Sequence, residues 1–286
     1  MTKSIFSVDV EDWFHILDVP RTPPLSAWRD LPSRVERNFL RLLDLFAAHE
    51  VKVTCFFLGW VAERFPHLVR RAAGEGHEIA SHGYAHRLVY ELGRTRFYED
   101  AVRARKLLED IVGAPVLGYR SAGFSVRQDT LWFFAALVEA GYRYDSSVFP
   151  AARGHGGIDA FRREPHLLTA EGATILEFPI TVADLAGKPL CFFGGGYLRI
   201  FPYWLIRRMG RQVLGEGRPV VFYIHPREID PQHPRLPMSA QRRFKSYVNL
   251  RSTESKVKRI LRDFPLTTFR DYLALHAASL ETSHAR

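Results

Sequence analysis

Short apolar segments alternate along this chain with segments of helical periodicity, and this alternation constrains the fold more than any other feature. It is typical of βα units, which build a mostly parallel sheet with helices around it. The predicted strands are SIFSVDV (4–10), VKVTCFFLG (51–59), HEIASHG (77–83), VLGYRS (116–121), YDSSVF (144–149), ILEFPI (175–180) and PVVFYIH (219–225). We therefore predict an α/β fold, a single-domain distorted (β/α) barrel of about seven parallel strands.

Helix signals fill the intervals between these strands. Ser33 and Glu36 have the spacing of a capping box at the start of a helix, and Pro66 is expected to open the next one. Gly141 is expected to close a helix that begins near Gln128. Further helices are predicted near 95–112 and 203–215.

Two segments interrupt the alternation. Residues 151–172 and 230–252 are rich in proline, glycine and charge, and we predict them to be long loops. A chain of 286 residues is long enough for one large domain with a full core. We expect this domain to span 1–276 and a fraying tail to span 277–286.

Charge and composition narrow the classes of partner and location. The formal net charge of +9 suits an anionic glycan, an anionic membrane surface or nucleic acid. The basic residues are mixed with acidic ones at helical spacing and no nucleic-acid-binding signature accompanies them, so we expect no nucleic-acid partner. No apolar run could cross a bilayer and no secretory signal is visible, which predicts a cytoplasmic protein, with a peripheral position at the inner membrane left open. Cys55 and Cys191 are expected to be buried thiols.

Polar side chains follow five of the predicted strands at the point where each strand ends. The segments are DVEDWFH (9–15), SHGYAH (81–86), RSAGFS (120–125), DSS (145–147) and HPRE (225–228). The carboxyl ends of parallel strands converge on one edge of a barrel, where the following loops form the active site. The sequence therefore predicts one catalytic or metal site built from all five segments.

His82 and His86 have the spacing that places two imidazoles on one side of a helical turn, where both could reach one divalent ion. An isolated pair of this spacing is more often two solvated or hydrogen-bonded histidines. Asp9, Glu11 and Asp12 change that balance, because three carboxylates after an apolar strand favour a bound cation. The spacing alone leaves open which carboxylate is the ligand.

Five motifs, in order, give the chain a resemblance to the polysaccharide deacetylases of carbohydrate esterase family 4, the NodB homology group. The matching segments are SVDVEDWF, HGYAH, RSAGF, YDSSVF and VVFYIHP. HPREIDP and GGGYLRIFPYW also resemble the subgroup associated with exopolysaccharide and exosortase gene clusters. The chain departs from the family pattern in three motifs: the first has DVED (9–12) in place of Asp-Asp, the second has Gly83 in place of Ser or Thr, and the third has Ala122 in place of Pro.

The resemblance implies a NodB-type deacetylase barrel that removes N-acetyl groups from the amino sugars of a bacterial polysaccharide or its precursor. It implies a divalent ion, with zinc expected and cobalt or nickel as alternatives. The implied ligands are Asp12, His82 and His86. The implied partners are an N-acetylated glycan and membrane-associated polysaccharide synthesis machinery.

Catalytic roles are also implied by the resemblance. Asp9 is the preferred base and Glu11 the second candidate, and Arg120 would keep the base ionised. His225 would protonate the departing amine, with Asp145 as the residue that orients it. Two alternatives stay open: a hydrolase of another small or cyclic C–N bond, and a silent glycan-binding component of a polysaccharide assembly complex.

Overall fold

The computed structural model describes residues 2–17, 19, 22–151 and 156–282. Its strands are β1 (Ser4–Val10), β2 (Thr54–Phe57), β3 (Glu78–Ser81), β4 (Gly118–Tyr119), β5 (Tyr144–Asp145), β6 (His166–Ala170), β7 (Ala173–Glu177), β8 (Val182–Leu185), β9 (Lys188–Cys191), β10 (Val221–Ile224) and β11 (Leu266–Thr267). Each of the seven segments predicted to be a strand contains one, and most are shorter than predicted.

The main sheet has the strand order β10-β1-β2-β3-β4-β5-β7-β6, with β11 beside β1. From β10 to β7 neighbouring strands pair in parallel, and β6 pairs antiparallel with β7. β1 has neighbours on both sides and is buried along its whole length, as expected of a parallel strand covered on both faces. The predicted α/β fold with seven parallel strands is confirmed within the described residues.

The sheet does not close by backbone pairing between β7 and β10 in the part of the chain that is described. Thr181, four residues beyond β7, bridges the gap with its side chain. Its hydroxyl accepts a hydrogen bond from the Val221 N–H at 2.8 Å and donates to the Pro219 carbonyl at 3.3 Å. The two edges therefore meet through a side chain, and the barrel is distorted at this seam.

The helices are α1 (Val35–Ala48), α2 (Gly59–Arg64), α3 (Pro66–Gly74), α4 (Val89–Val112), α5 (Trp132–Glu139), α6 (Gly195–Ile200), α7 (Tyr203–Gly215), α8 (Ala240–Tyr247), α9 (Leu250–Asp263) and α10 (Phe269–Thr282). Pro66 opens α3, as predicted. The helix expected near 95–112 begins earlier, and its backbone is kinked at Gly93, which has a φ of +68°. No helix of the described residues is long and apolar enough to span a bilayer.

The predicted capping box at Ser33 and Glu36 is wrong. The Ser33 hydroxyl donates to Asp12 at 2.5 Å, and the Asp12 carboxylate accepts from the backbone N–H groups of Arg34 and Val35. A full negative charge satisfies the N–H groups at a helix N-terminus better than a neutral hydroxyl does. Asp12, at the end of β1, therefore caps α1.

The two predicted loops are wrong in part. β6 lies within 151–172 and pairs with β7 across Glu171 and Gly172, whose positive φ angles suit a tight two-residue hairpin. α8 and the start of α9 lie within 230–252. Residues 152–155 of the first loop lie outside the described residues.

Candidate active site

A cavity of about 560 Å³ lies at the carboxyl ends of the parallel strands. Five of the predicted site residues line it: Asp9, Glu11, His82, His86 and His225. They come from the segments after β1, β3 and β10, which are far apart in sequence. The convergence of strand ends predicted from the sequence therefore gathers these side chains into one concave site.

A carboxylate and two imidazoles form a group able to hold a metal ion. Potential ligand atoms of Glu11, His82 and His86 all lie within 4.8 Å of one another, and the three side chains are buried. Glu11 Oε2 is 2.8 Å from His86 Nε2. Although burial opposes its charge, His86 and His225 lower the pKa of Glu11 well below its usual range, so Glu11 is ionised.

His82 is oriented by the backbone. Its Nδ1 lies 2.7 Å from the Arg120 carbonyl oxygen, which only accepts hydrogen bonds, so Nδ1 carries the proton. Burial lowers the pKa of His82 to about 4. The ring is therefore neutral at pH 7, with its Nε2 lone pair available to a cation.

The turn that carries both histidines is not the helical turn expected from their spacing. Gly83 has a φ of +72° and His86 a φ of +50°, and Asp100 accepts hydrogen bonds from the backbone N–H groups of Tyr84 and Ala85. A Cβ at position 83 would lie 2.8 Å from Asp100 Oδ2. The positive φ and this close approach explain why glycine stands where the family usually has Ser or Thr.

Asp9 and Arg120 form a buried ion pair beside this group. Arg120 Nη1 lies 2.7 Å from Asp9 Oδ1 and also donates to the Ser7 hydroxyl. Arg120 donates further to the carbonyl and the hydroxyl of Ser146, and its guanidinium lies 4.1 Å from the centre of the Phe56 ring. A guanidinium held by this many partners fixes the position of the Asp9 carboxylate.

His225 lies between three carboxylates. Its Nε2 is 3.2 Å from Glu11 Oε1 and 3.8 Å from Asp9 Oδ2, and its Nδ1 is 3.1 Å from Glu228 Oε2. Burial opposes a charge on this ring, but Glu11 and Glu228 outweigh it and raise the pKa of His225 above its ordinary value. The imidazolium is therefore stabilised in the cavity.

The structure places Asp12 and Asp145 elsewhere. Asp12 uses its carboxylate to cap α1, and it is not in the group with the two histidines. Asp145 accepts from the hydroxyl and the N–H of Ser147, and burial raises its pKa to about 6. Burial and the neighbouring Asp145 raise the pKa of Glu177 further, so Glu177 holds a proton between the two carboxyl groups.

Glu228 occupies the position on His225 that sequence reasoning gave to Asp145. It also pairs with the buried Arg199, whose Nε lies 3.1 Å from Glu228 Oε1. Burial opposes its charge, but Arg199 and His225 lower the pKa of Glu228 to about 2. Glu228 lies three residues after His225 in HPRE, the only signal in the sequence that could have indicated this role.

The residues present fit a divalent metal ion. Two imidazoles and one carboxylate form a common donor set for catalytic zinc, which keeps a further position open. His86 Nδ1 is buried without a hydrogen-bond partner among the described residues, and the proton on His82 Nδ1 leaves Nε2 for the ion. The donor set comes from Glu11 rather than from Asp12.

Two known protein families match this chain. Residues 28–144 match the family described as polysaccharide deacetylase, and residues 146–274 match a domain of unknown function, DUF3473. Residues 28–144 are thus similar to the polysaccharide deacetylase family. His82, His86 and Arg120 lie in the first matched segment and His225 in the second, while one sheet contains strands from both.

Named polysaccharide deacetylases match this chain over short stretches. A peptidoglycan-N-acetylglucosamine deacetylase of Bacillus cereus is 34% identical over 73 residues, covering 26% of this chain and 26% of the relative. A chitooligosaccharide deacetylase of Rhizobium leguminosarum is 46% identical over 46 residues, covering 16% of this chain and 21% of the relative. The chain thus spans well under two thirds of the length of these relatives.

Solved structures show that the deacetylase-type fold extends over nearly the whole chain. A probable polysaccharide deacetylase from Pseudomonas aeruginosa has a TM-score of 0.60 at 16% identity, covering 95% of this chain and 89% of that one. The Puue allantoinase has a TM-score of 0.63 at 16% identity, covering 96% of this chain and 89% of that one. At these identities the likeness shows the fold alone.

Proposed function

We propose that the protein is a metal-dependent N-deacetylase that acts on the N-acetylated amino sugars of a bacterial polysaccharide or its precursor. The observation that carries this proposal is one cavity holding the group Glu11, His82 and His86 beside the Asp9–Arg120 pair and His225. Amide hydrolysis needs an activated water, a base and an acid for the leaving amine, and this cavity has a candidate for each.

Glu11, His82 and His86 are the proposed ligands. Zinc is the proposed ion, because the donor set is nitrogen and carboxylate oxygen, with cobalt or nickel as substitutes. A divalent ion bound there supplies Lewis acidity toward the acetamide carbonyl and lowers the pKa of a bound water. Asp12 is not a ligand in this proposal, since its carboxylate is already occupied at the start of α1.

Asp9 is the proposed base. Arg120 holds Asp9 Oδ1, which leaves Oδ2, 3.8 Å from His225 Nε2, to accept a proton from the attacking water. Asp9 and Arg120 are both buried, so water does not separate the two charges when a substrate binds. Asp145 acts indirectly: it holds Ser147, next to the Ser146 that contacts Arg120.

His225 is the proposed acid. An amine leaves a tetrahedral carbon poorly unless its nitrogen is protonated, and His225 Nε2 faces the cavity with its charged form stabilised. Glu228 accepts a hydrogen bond from His225 Nδ1, and this contact directs Nε2 toward the substrate side of the cavity.

We propose a location at the cytoplasmic face of the inner membrane, beside membrane-associated polysaccharide synthesis machinery. The net charge of +9 supports this, because anionic lipid attracts a basic surface. We expect the protein to co-sediment with phosphatidylglycerol vesicles at low salt. The binding should disappear at 0.5 M salt, because the Debye length there is only about 4 Å and the charges are screened.

The function is tested by acetate release from N-acetylated glycans, using protein stripped of metal and reloaded with zinc or cobalt. We expect release that depends on metal and is lost in His82→Ala. The matched control is His67→Ala, since His67 is exposed and pairs with Glu36 far from the cavity lining. Release from a small cyclic amide instead of any glycan, or glycan binding without turnover, would contradict the proposal.

A further inference from the structure

One cation in the cavity wall has neither a hydrogen-bond acceptor for two of its nitrogens nor an ion-pair partner among the described residues. Arg227 lines the cavity, and its Nε and Nη1 atoms are buried without a hydrogen-bond partner. No ion pair of Arg227 occurs among the described residues, although its charge acts on Glu11, His225 and Glu228. A half-buried guanidinium without an anion is costly, so a ligand that supplies one is expected to bind there.

The nearby carboxylates are already committed. Asp9 pairs with Arg120, and Glu228 pairs with Arg199 and His225. Glu11 faces both histidines and is the proposed metal ligand. Glu11 and Glu228 act on Arg227 through their charge but form no ion pair with it among the described residues, and a divalent ion on Glu11 would make this part of the cavity more positive.

Two further cations stand on the same side of the cavity. Arg242 and Lys245 line it from α8, one helical turn apart. Arg199 holds this part of α8 in place, because its guanidinium donates to the carbonyl oxygens of Lys245 and Ser246. The backbone of α8 is therefore held beside the cavity, where Arg242 Nη2 also donates to the Leu17 carbonyl, and this side of the cavity has the charge expected of an anion subsite.

We propose that this cluster, Arg227 with Arg242 and Lys245, binds an anionic group of the glycan next to the sugar that loses its acetyl group. The inference rests on the proposed function and names the substrate class: an N-acetylated amino sugar linked to a carboxylate or a phosphate. The planar guanidinium of Arg227 pairs with either oxyanion through two parallel N–H donors. Neutral oligomers of N-acetylglucosamine leave Arg227 unpaired and are the poorer substrates.

The test compares three zinc-loaded reactions with oligosaccharides of equal length. One is a neutral N-acetylglucosamine oligomer, one alternates N-acetylglucosamine with a uronic acid, and one joins N-acetylglucosamine through a phosphodiester. The proteins are wild type, Arg227→Gln, Arg227→Lys and the control Arg243→Gln, an exposed α8 residue outside the cavity lining. Binding of the deacetylated product of each glycan is measured alongside, because it needs no turnover.

Wild type is expected to prefer one anionic substrate over the neutral one by about 10- to 100-fold in kcat/KM, the range of a hydrogen bond to a charged group. The carboxylate and phosphate reactions identify which anion is bound. Arg227→Gln should remove this preference, so that kcat/KM becomes about equal for the anionic and the neutral oligomers. Arg227→Lys should restore part of it, and Arg243→Gln should behave as wild type.

Equal use of neutral and anionic glycans by wild type would overturn the inference while leaving the proposed function standing. An anionic preference that Arg227→Gln retains would also overturn it, since Arg227 would then not recognise the anion. If no glycan releases acetate, the proposed function fails. The binding measurement still decides the subsite: tighter binding of an anionic product that depends on Arg227 supports it, and equal binding by wild type and Arg227→Gln refutes it.

Discussion

At the scale of single residues, His225 shows how the cavity sets the chemistry of a side chain. A buried imidazole ordinarily loses its proton, as His82 does. The pKa of His225 is raised instead, despite burial, because Glu11 lies beside Nε2 and Glu228 accepts from Nδ1. In the proposed mechanism the same residue type thus serves as a neutral metal ligand at one position and as a proton donor at the other, and the difference comes from neighbouring carboxylates.

Replacing Glu228 tests this division of roles. Glu228→Gln retains an oxygen for the Nδ1 hydrogen bond but removes the negative charge that stabilises the imidazolium, so we expect kcat to fall about 10-fold or more. His225→Ala should cost about 10² to 10⁴ in kcat. Zinc content, measured by elemental analysis, should be unchanged in both, and a loss of metal in either would argue against a proton-donor role for His225.

At the scale of elements, the neighbouring carboxylates of Glu11 and Asp12 at the end of β1 point in different directions. Asp9 and Glu11 are two residues apart and both reach the cavity, as alternation along an extended chain predicts. Asp12 faces the other way and accepts hydrogen bonds at the starts of α1 and of the short 3-10 helix Trp13–His15. One short segment therefore supplies the site and also anchors the first helix.

Removing the Asp12 carboxylate should affect stability rather than metal binding. Asp12→Ala leaves the N–H groups of Arg34 and Val35 without their acceptor, so we expect the free energy of unfolding to fall by about 1–3 kcal/mol. Zinc stoichiometry should stay near that of wild type, whereas Glu11→Ala should abolish it. Urea denaturation and metal analysis measure the two effects, and loss of zinc in Asp12→Ala would restore Asp12 as the ligand.

At the scale of the whole molecule, buried neutral histidines make the fold sensitive to acid. His77 lies just before β3, at the end of the sheet opposite the cavity, and accepts a hydrogen bond from the Val53 N–H. Burial, with a contribution from Lys52, lowers the pKa of His77 to about 4. Because His77 is 3% exposed, protonating it requires the surrounding packing to open.

The pH dependence of stability follows from this shift. Between about pH 6.5 and pH 4 the unfolded chain binds a proton at His77 that the folded protein does not, so stability is complete above this range and falls as the pH drops. We expect the contribution of His77 to be about 2 kcal/mol smaller at pH 5 than at pH 7.5. Urea denaturation of wild type and His77→Asn at both pH values measures it, with exposed His67→Asn as the control. An unchanged pH slope in His77→Asn would refute the assignment.

Sequence alone determined the order of the seven parallel strands from β1 to β10 and of most helices between them, because periodicity and turn residues are local properties of the chain. It also located His82, His86, Arg120 and His225 correctly at strand ends that converge, since parallel strands leave little choice about where their carboxyl ends meet. Only the tertiary structure separated the two acids Glu11 and Asp12, and it placed Glu228 on His225. The direction of a side chain after a strand ends, and contacts such as Glu11 with His225, depend on packing between segments about two hundred residues apart, which no local pattern encodes.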